Sequence, residues 1–219
     1  MSEHHLRVDL FDLPERPSGE CPQAFIHSRG ELLTRALFTG GAILAGGVVI
    51  AGLPGEAVSA PSPAQDAEIL NFALLLEYME SAFFTEASVN GKLTGELLEF
   101  ADTVRGHERA HVAFLRAALG QKARQEPTFD FGEATRDPQA FTDAAVTIQD
   151  LAVAAYNGQA ANLTTGALEA AAKIVSVEAR HAGWIRAIAG MNPAPDAVEA
   201  PKTAKQVTAV VNSTNFVRS

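Results

Sequence analysis

The stretch Glu108-Arg109-Ala110-His111 has a counterpart seventy residues later in Glu178-Ala179-Arg180-His181, and this pair gives the first indication of a helical bundle. In an α-helix, residues three positions apart lie on the same face. Each stretch therefore presents one carboxylate and one imidazole side by side. Two such helices facing each other would direct two Glu and two His side chains to one point, so the pattern predicts a metal site inside a helical bundle.

The helical neighbours of both Glu/His pairs are apolar, which favours a buried position. They are Leu97, Ala101, Val104, Val112 and Leu115 on the first helix, and Ile174, Val175, Ala182, Trp184 and Ile185 on the second. An unpaired charge in such surroundings would cost several kcal/mol. A buried metal or salt-bridged cluster is therefore favoured over a charged surface that carries the spacing by chance.

Composition limits the domain count and the class of partner. The chain has 219 residues, 47% of them hydrophobic, which is enough for one well-packed domain. It carries 17 basic and 26 acidic side chains, a balance that argues against a nucleic-acid partner. Cys21 is the single cysteine, so no internal disulfide can stabilise the fold.

Residues 1–60 have the pattern of an export leader. A polar stretch with basic residues precedes the apolar, Gly-rich run Ala36 to Leu53, and Val58-Ser59-Ala60 follows as a cleavage site. Ser28-Arg29-Gly30-Glu31-Leu32-Leu33 resembles the twin-arginine export motif, with Gly30 at the second Arg position, which leaves the route open. We expect an exported protein, periplasmic or extracellular, without a membrane anchor after cleavage. The alternative is an uncleaved anchor.

Hydrophobic periodicity, caps and turns predict an all-α antiparallel four-helix bundle over residues 61–190. The predicted helices are 66–90, 94–120, 137–163 and 166–190. Residues 121–136 are longer than most helix connections and are expected to cross the bundle between helices two and three. In the tail, 191–219, Thr203 and Gln206 form a capping-box pattern that predicts a short helix covering the bundle end, with a disordered tail as the alternative.

Helix rise extends the predicted site to the other two helices. Counted from the turn near residue 91, Glu77 lies about 22 Å along its helix and Glu108 about 25 Å along the next, so they are level. Glu80, at about 17 Å, is the poorer partner for Glu108 and is expected outside the ligand set. Gln149 lies opposite Glu178 and faces inward. The third helix therefore offers an amide where each of the other three helices offers a carboxylate.

The chain from about Asp66 onward resembles the ferritin-like family of exported bacterial and desiccation-related proteins. The resemblance rests on five motifs: Leu70-Asn71-Phe72-Ala73-Leu74-x-x-Glu77-Tyr78, Glu108-x-x-His111, Phe129-Asp130-Phe131-Gly132, Ala155-Tyr156-x-Gly158 and Glu178-x-x-His181. It implies a dinuclear iron or manganese centre in the bundle core. The implied metal ligands are Glu77, Glu108, His111, Glu178 and His181.

Gln149 departs from the family's pattern, and Tyr156, His107 and Glu80 are weaker candidates for a place in or beside the site. Gln149 stands where the family often has Glu, and three carboxylates leave two divalent ions with surplus positive charge, which predicts a weak second position. Tyr156 is interpreted as a core residue rather than an electron relay, and His107 as a partly exposed neighbour of the site. Glu80 remains a candidate for the missing carboxylate.

Two functions follow as expectations. The first is an exported protein that binds one or two iron or manganese ions and reduces O₂ or peroxide in stress protection. The second is a non-enzymatic bundle with a vestigial or salt-bridged cluster, serving a structural, protective or partner-binding role. A homo-oligomer is compatible with either.

Overall fold

The computed structural model describes residues 43–44, 47–48, 60–90 and 92–218. The chain divides into two units, 1–59 and 60–219. In the first unit, strands β1 (Ile43–Leu44) and β2 (Gly47–Val48) pair antiparallel, with Ile43 opposite Val48. The rest of the predicted leader up to Ser59, including the twin-arginine-like segment, lies outside the described residues.

The second unit is built from four long helices and one short helix, which confirms the all-α bundle. They are α1 (Pro63–Asn90), α2 (Gly95–Leu119), α3 (Pro138–Gln159), α4 (Thr165–Ile188) and α5 (Ala204–Thr214). The main packing pairs are α1 with α2 and α3 with α4. Within the described residues, no helix has the length and hydrophobicity needed to cross a bilayer.

The first helix begins at Pro63, three residues before the predicted start at Asp66, and Ser62 precedes it. The Ser62 hydroxyl accepts a hydrogen bond from the Gln65 backbone N–H at 3.3 Å. The Asp66 carboxylate instead accepts from the backbone N–H and the hydroxyl of Thr164, at 2.9 and 2.6 Å. Asp66 thus satisfies a free donor at the start of α4 and ties the two helix ends together.

Thr94 precedes α2, but its side chain makes no capping hydrogen bond; the remaining helix ends follow the predicted capping chemistry with one exception. Asp137 accepts from the N–H groups of Gln139 and Ala140 at the start of α3. Gly120, with φ of 55°, ends α2 in a conformation that suits glycine. The exception is α3, which ends at Gln159 rather than near residue 163 because a short 3-10 turn, Ala160–Asn162, takes over.

The long connection between α2 and α3 is ordered by the C-terminal tail. Strand β3 (Thr128–Phe129) pairs antiparallel with β4 (Val217–Arg218), with Phe129 opposite Val217. The capping box at the start of α5 is present, since Thr203 and Gln206 exchange hydrogen bonds. Two α5 side chains, Val207 and Val211, are buried in the core. The tail therefore packs on the bundle, as predicted, in place of a disordered end.

The core consists of two apolar clusters. The larger one, here called the phenylalanine cluster, includes Phe83, Phe84, Phe100, Val104, Phe131, Phe141 and Ile185. The second, here called the leucine cluster, includes Leu70, Leu74, Tyr78, Leu115, Leu119 and Ile174. On α2 and α4, the Glu/His pairs lie in sequence between residues of one cluster and residues of the other. The polar residues therefore occupy a layer that is apolar on both sides.

Candidate metal centre

All four long helices contribute polar side chains to this layer. They are Glu77 and Glu80 from α1, Glu108 and His111 from α2, Gln149 and Tyr156 from α3, and Glu178 and His181 from α4. None of them is more than 9% exposed. The five ligands predicted from sequence thus lie in one buried layer, and this layer also contains Glu80, Gln149 and Tyr156.

The imidazole of His111 stands at the centre of three carboxylates. Its Nδ1 lies 2.9 Å from Glu108 Oε2, 2.9 Å from Glu178 Oε1 and 3.2 Å from Glu77 Oε2. One ring nitrogen carries at most one proton, so it cannot satisfy three acidic oxygens by hydrogen bonding. Ligand atoms from these four residues all lie within 4.8 Å of one another. This spacing would let one cation contact all of them.

The second imidazole faces the other oxygens of two of the same carboxylates. His181 Nδ1 lies 3.2 Å from Glu108 Oε1 and 3.5 Å from Glu178 Oε2. Glu108 and Glu178 therefore each direct one oxygen toward His111 and the other toward His181. Carboxylates in this arrangement can bridge two adjacent cations.

Several buried polar atoms of the cluster have no hydrogen-bond partner. They are Glu80 Oε2, Gln149 Oε1, both carboxylate oxygens of Glu178, and His181 Nδ1. The oxygens of Glu178 lie close to imidazole nitrogens, but they accept no hydrogen bond. Because nearly all buried polar groups in proteins are paired, so many unpaired atoms in one place call for a ligand. Carboxylate oxygens and imidazole nitrogens suit iron, manganese or zinc, so the residues present fit a divalent transition metal.

In the absence of a metal, protons balance part of this charge. Burial acts to raise the pKa of Glu108, but the close contacts of its oxygens with the imidazoles of His111 and His181 outweigh burial and lower that pKa to about 2. Burial acts to lower the pKa of both imidazoles, but the carboxylates next to them, Glu108 above all, raise it to about 12 for His111 and about 9 for His181. Both imidazoles are therefore protonated at neutral pH when no cation is bound.

The two carboxylates of α1 respond to burial in the opposite sense to Glu108. Desolvation raises the pKa of Glu77 well above its usual range, against the effect of the His111 hydrogen bond. Desolvation and then the charges of Glu178 and Glu108 raise the pKa of Glu80 in the same way. Both carboxyl groups therefore retain protons more readily than a carboxyl group in water. A bound cation would displace them.

Tyr156 is buried, and it also contacts a predicted ligand. Its hydroxyl donates a hydrogen bond to Glu77 Oε1 at 2.6 Å. Burial, and then the charge of Glu77, raise the pKa of Tyr156 well above its usual range, so the hydroxyl remains a donor. The bond fixes one oxygen of Glu77 and leaves Oε2 facing His111. The spacing of Tyr156 from Gln149 on α3 could not reveal this contact with α1.

Gln149 faces inward as predicted and is fully buried. Its amide nitrogen donates to Glu80 Oε1 at 3.1 Å and lies 3.5 Å from Glu108 Oε1. The helix-rise comparison treated Glu80 only as a partner for residues on α2. The contact of Glu80 with α3 was therefore missed, although its spacing from Glu77 and the neighbouring Phe83 and Phe84 indicate a buried position.

His107 connects the layer to the protein surface. Its side chain is exposed, as predicted, yet its Nδ1 lies 2.8 Å from Nε2 of the buried His181. The two rings stack with centroids 5.1 Å apart and planes at 14°. Because His181 Nε2 is occupied by this contact, Nδ1 is the nitrogen available to a cation.

Comparison with known proteins agrees with this architecture. A family model for a ferritin-like domain matches residues 65–191, which is more than half of the chain. The match spans nearly all of the four long helices and every residue of the candidate site. A search of curated proteins found no match.

Proposed function

This chain belongs to the ferritin-like domain family, and on that premise we propose that its buried Glu/His cluster binds iron or manganese as a divalent ion. The observation that carries the proposal is the environment of His111 Nδ1, which has three carboxylate oxygens within 3.2 Å. A cation can accept all three oxygens and the nitrogen together, whereas one proton cannot.

Each ligand has a distinct part in this proposal. Glu77, Glu108, His111 and Glu178 would hold one ion, while Glu108 and Glu178 would direct their remaining oxygens to a second position beside His181. A reduced iron or manganese centre held here would supply electrons for the reduction of O₂ or peroxide. The apolar clusters on either side of the layer would exclude bulk water and strengthen each electrostatic contact.

We place this function outside the cytoplasm because of the order of features in residues 1–60. A basic flank, an apolar centre and a small-residue cleavage site follow one another as in an export signal. Protein sequencing of the native N-terminus tests this point. Cleavage predicts a first residue at Pro61, whereas a cytoplasmic protein that begins near Met1 would contradict export.

Metal content tests the binding proposal. Protein purified without a polyhistidine tag from medium rich in iron and manganese is expected to carry metal by elemental analysis. His111→Ala and His181→Ala should each lower the content at least about tenfold, because each removes a nitrogen ligand. Helical content should change little, since the apolar clusters hold the helices together. Glu99→Gln, on an exposed position of α2, is the matched control and should retain metal.

The competing function is a salt-bridged bundle without metal, and the contacts of the two imidazoles with carboxylates favour it as the alternative. In that protein, protons balance the cluster permanently and the chain serves a structural or protective role. Equal metal content in the native protein and both His variants would support this alternative over the metal centre.

A further inference from the structure

We infer that Glu80 supplies the fourth carboxylate of the centre, so that the position beside His181 is completed from α1 rather than from Gln149 on α3. This inference rests on the proposed function and concerns the second ion only. It revises the expectation from sequence that an amide at position 149 leaves that ion weakly bound.

The Gln149 side chain turns its amide nitrogen toward two carboxylates. Its amide nitrogen, a hydrogen-bond donor, points at the acidic groups and lies 3.1 Å from Glu80 Oε1 and 3.5 Å from Glu108 Oε1. A donor NH₂ cannot bind a cation in this orientation. Gln149 is therefore a positioning residue, which holds the Glu80 carboxylate beside Glu108.

One carboxylate oxygen of Glu80 is buried and unpaired. Glu80 is 1% exposed, and its Oε2 has no hydrogen-bond partner. A carboxylate buried so completely requires compensation by a proton, a basic group or a cation. The neighbouring Glu108 Oε1 lies 3.2 Å from His181 Nδ1, which is itself unpaired. Glu80 Oε2 and His181 Nδ1 are thus unsatisfied ligand atoms, and Glu108 Oε1 lies next to His181 and shares the Gln149 amide with Glu80.

The net charge of the cluster with two ions bound also favours Glu80 as a ligand. Glu77, Glu108 and Glu178 together carry three negative charges, which leave two divalent ions with one surplus positive charge in an apolar layer. Glu80 as a fourth carboxylate makes the loaded cluster neutral, and a neutral cluster is less costly to bury. Glu80 lies three residues after Glu77 on the same helix face, so α1 supplies two carboxylates and α3 supplies none.

Calorimetric titration of the metal-free protein with Mn²⁺ tests this inference. The native protein should bind two equivalents. Glu80→Gln should retain the first and weaken the second at least about tenfold, because the substitution removes a charged ligand and preserves the size of the side chain. Glu99→Gln should behave as native. Gln149→Glu should not raise the stoichiometry above two, because the fourth carboxylate is already present.

Two results would overturn the inference. One is a Glu80→Gln protein with native stoichiometry and affinities, and the other is a native protein with one equivalent that gains a second on Gln149→Glu. Paramagnetic resonance of the native protein with two equivalents of Mn²⁺ serves as an independent readout if Glu80→Gln does not fold. A signal from two magnetically coupled Mn²⁺ ions supports the inference, and a signal from isolated Mn²⁺ ions contradicts it. Failure of the proposed function is distinct, since the native protein would then bind no Mn²⁺ tightly.

Discussion

At the scale of single residues, the tautomer of His181 decides whether the second imidazole can act as a ligand. The nitrogen near the carboxylates is Nδ1, and Nε2 faces Nδ1 of the exposed His107 at 2.8 Å. With Nδ1 bound to a metal, Nε2 would carry the proton and donate a hydrogen bond to His107 Nδ1. Metal-bound imidazoles commonly depend on such an outer acceptor for their orientation. His107 would then be a positioning residue; the sequence predicted a partly exposed neighbour of the site, with a place in the site as the alternative.

His107→Ala is expected to weaken Mn²⁺ binding by about tenfold, because the His181 N–H loses its acceptor and the ring loses its stacking partner. His107→Gln, whose side-chain oxygen can accept the same hydrogen bond, should restore part of the affinity. Calorimetric titration measures both. Equal affinities for the native protein and His107→Ala would show that His181 needs no support from the surface.

At the scale of elements, the sequence predicted four helices and one long connection because caps and apolar periodicity are local signals. The predicted start at Asp66 was three residues late, since α1 begins at Pro63. The Asp66 carboxylate makes a long-range contact that the sequence did not reveal, with Thr164, ninety-eight residues away in the chain. The contact between Glu80 and Gln149 was missed for the same reason. Helix rise compares helices joined by a short turn, whereas α1 and α3 meet only after the whole bundle has assembled.

The pH dependence of helix association should depend on metal. The pKa of His181 is raised from 6.5 to about 9, and that of His111 is raised to about 12. A group with a raised folded-state pKa stabilises the fold fully below its unfolded pKa, and this contribution is lost as pH rises through the folded pKa. The raised pKa values of Glu77 and Glu80 have the same effect, so these groups also destabilise the fold as the pH rises above 4.5. The pKa of Glu108 is lowered to about 2, so this group stabilises the fold fully above pH 4.5, and its contribution is lost only as the pH falls toward 2.

The metal-free protein should therefore melt at a lower temperature at pH 8.5 than at pH 6.5. Mn²⁺ should raise the melting temperature more at pH 8.5, because fewer protons compete for the ligands and binding stabilises the folded state. Thermal melts followed by circular dichroism, with and without Mn²⁺, measure this difference. An increase of the same size at both pH values would indicate that the metal does not replace protons in the cluster.

At the scale of the whole molecule, a polar layer between two apolar clusters links folding to metal binding. The apolar clusters can form without metal, because the aromatic and aliphatic contacts do not involve the ligands. The layer between them gathers carboxylates from three helices, which would repel one another without protons or cations. Sequence reasoning predicted Glu108, His111, Glu178 and His181 from their spacing and Glu77 from helix rise, and the family resemblance implied all five as ligands. It placed Gln149 on an inward face, but it could not identify the partners of Gln149 and Tyr156, because those partners lie on other helices.

Anomalous X-ray diffraction from crystals of the protein loaded with Mn²⁺ would locate the ions of the metal centre directly. We predict a strong peak within bonding distance of His111 Nδ1 and the carboxylates of Glu77, Glu108 and Glu178, and a second peak beside His181 and Glu80. No peak in the layer, with the imidazoles still hydrogen-bonded to the carboxylates, would contradict the metal centre and establish the salt-bridged bundle.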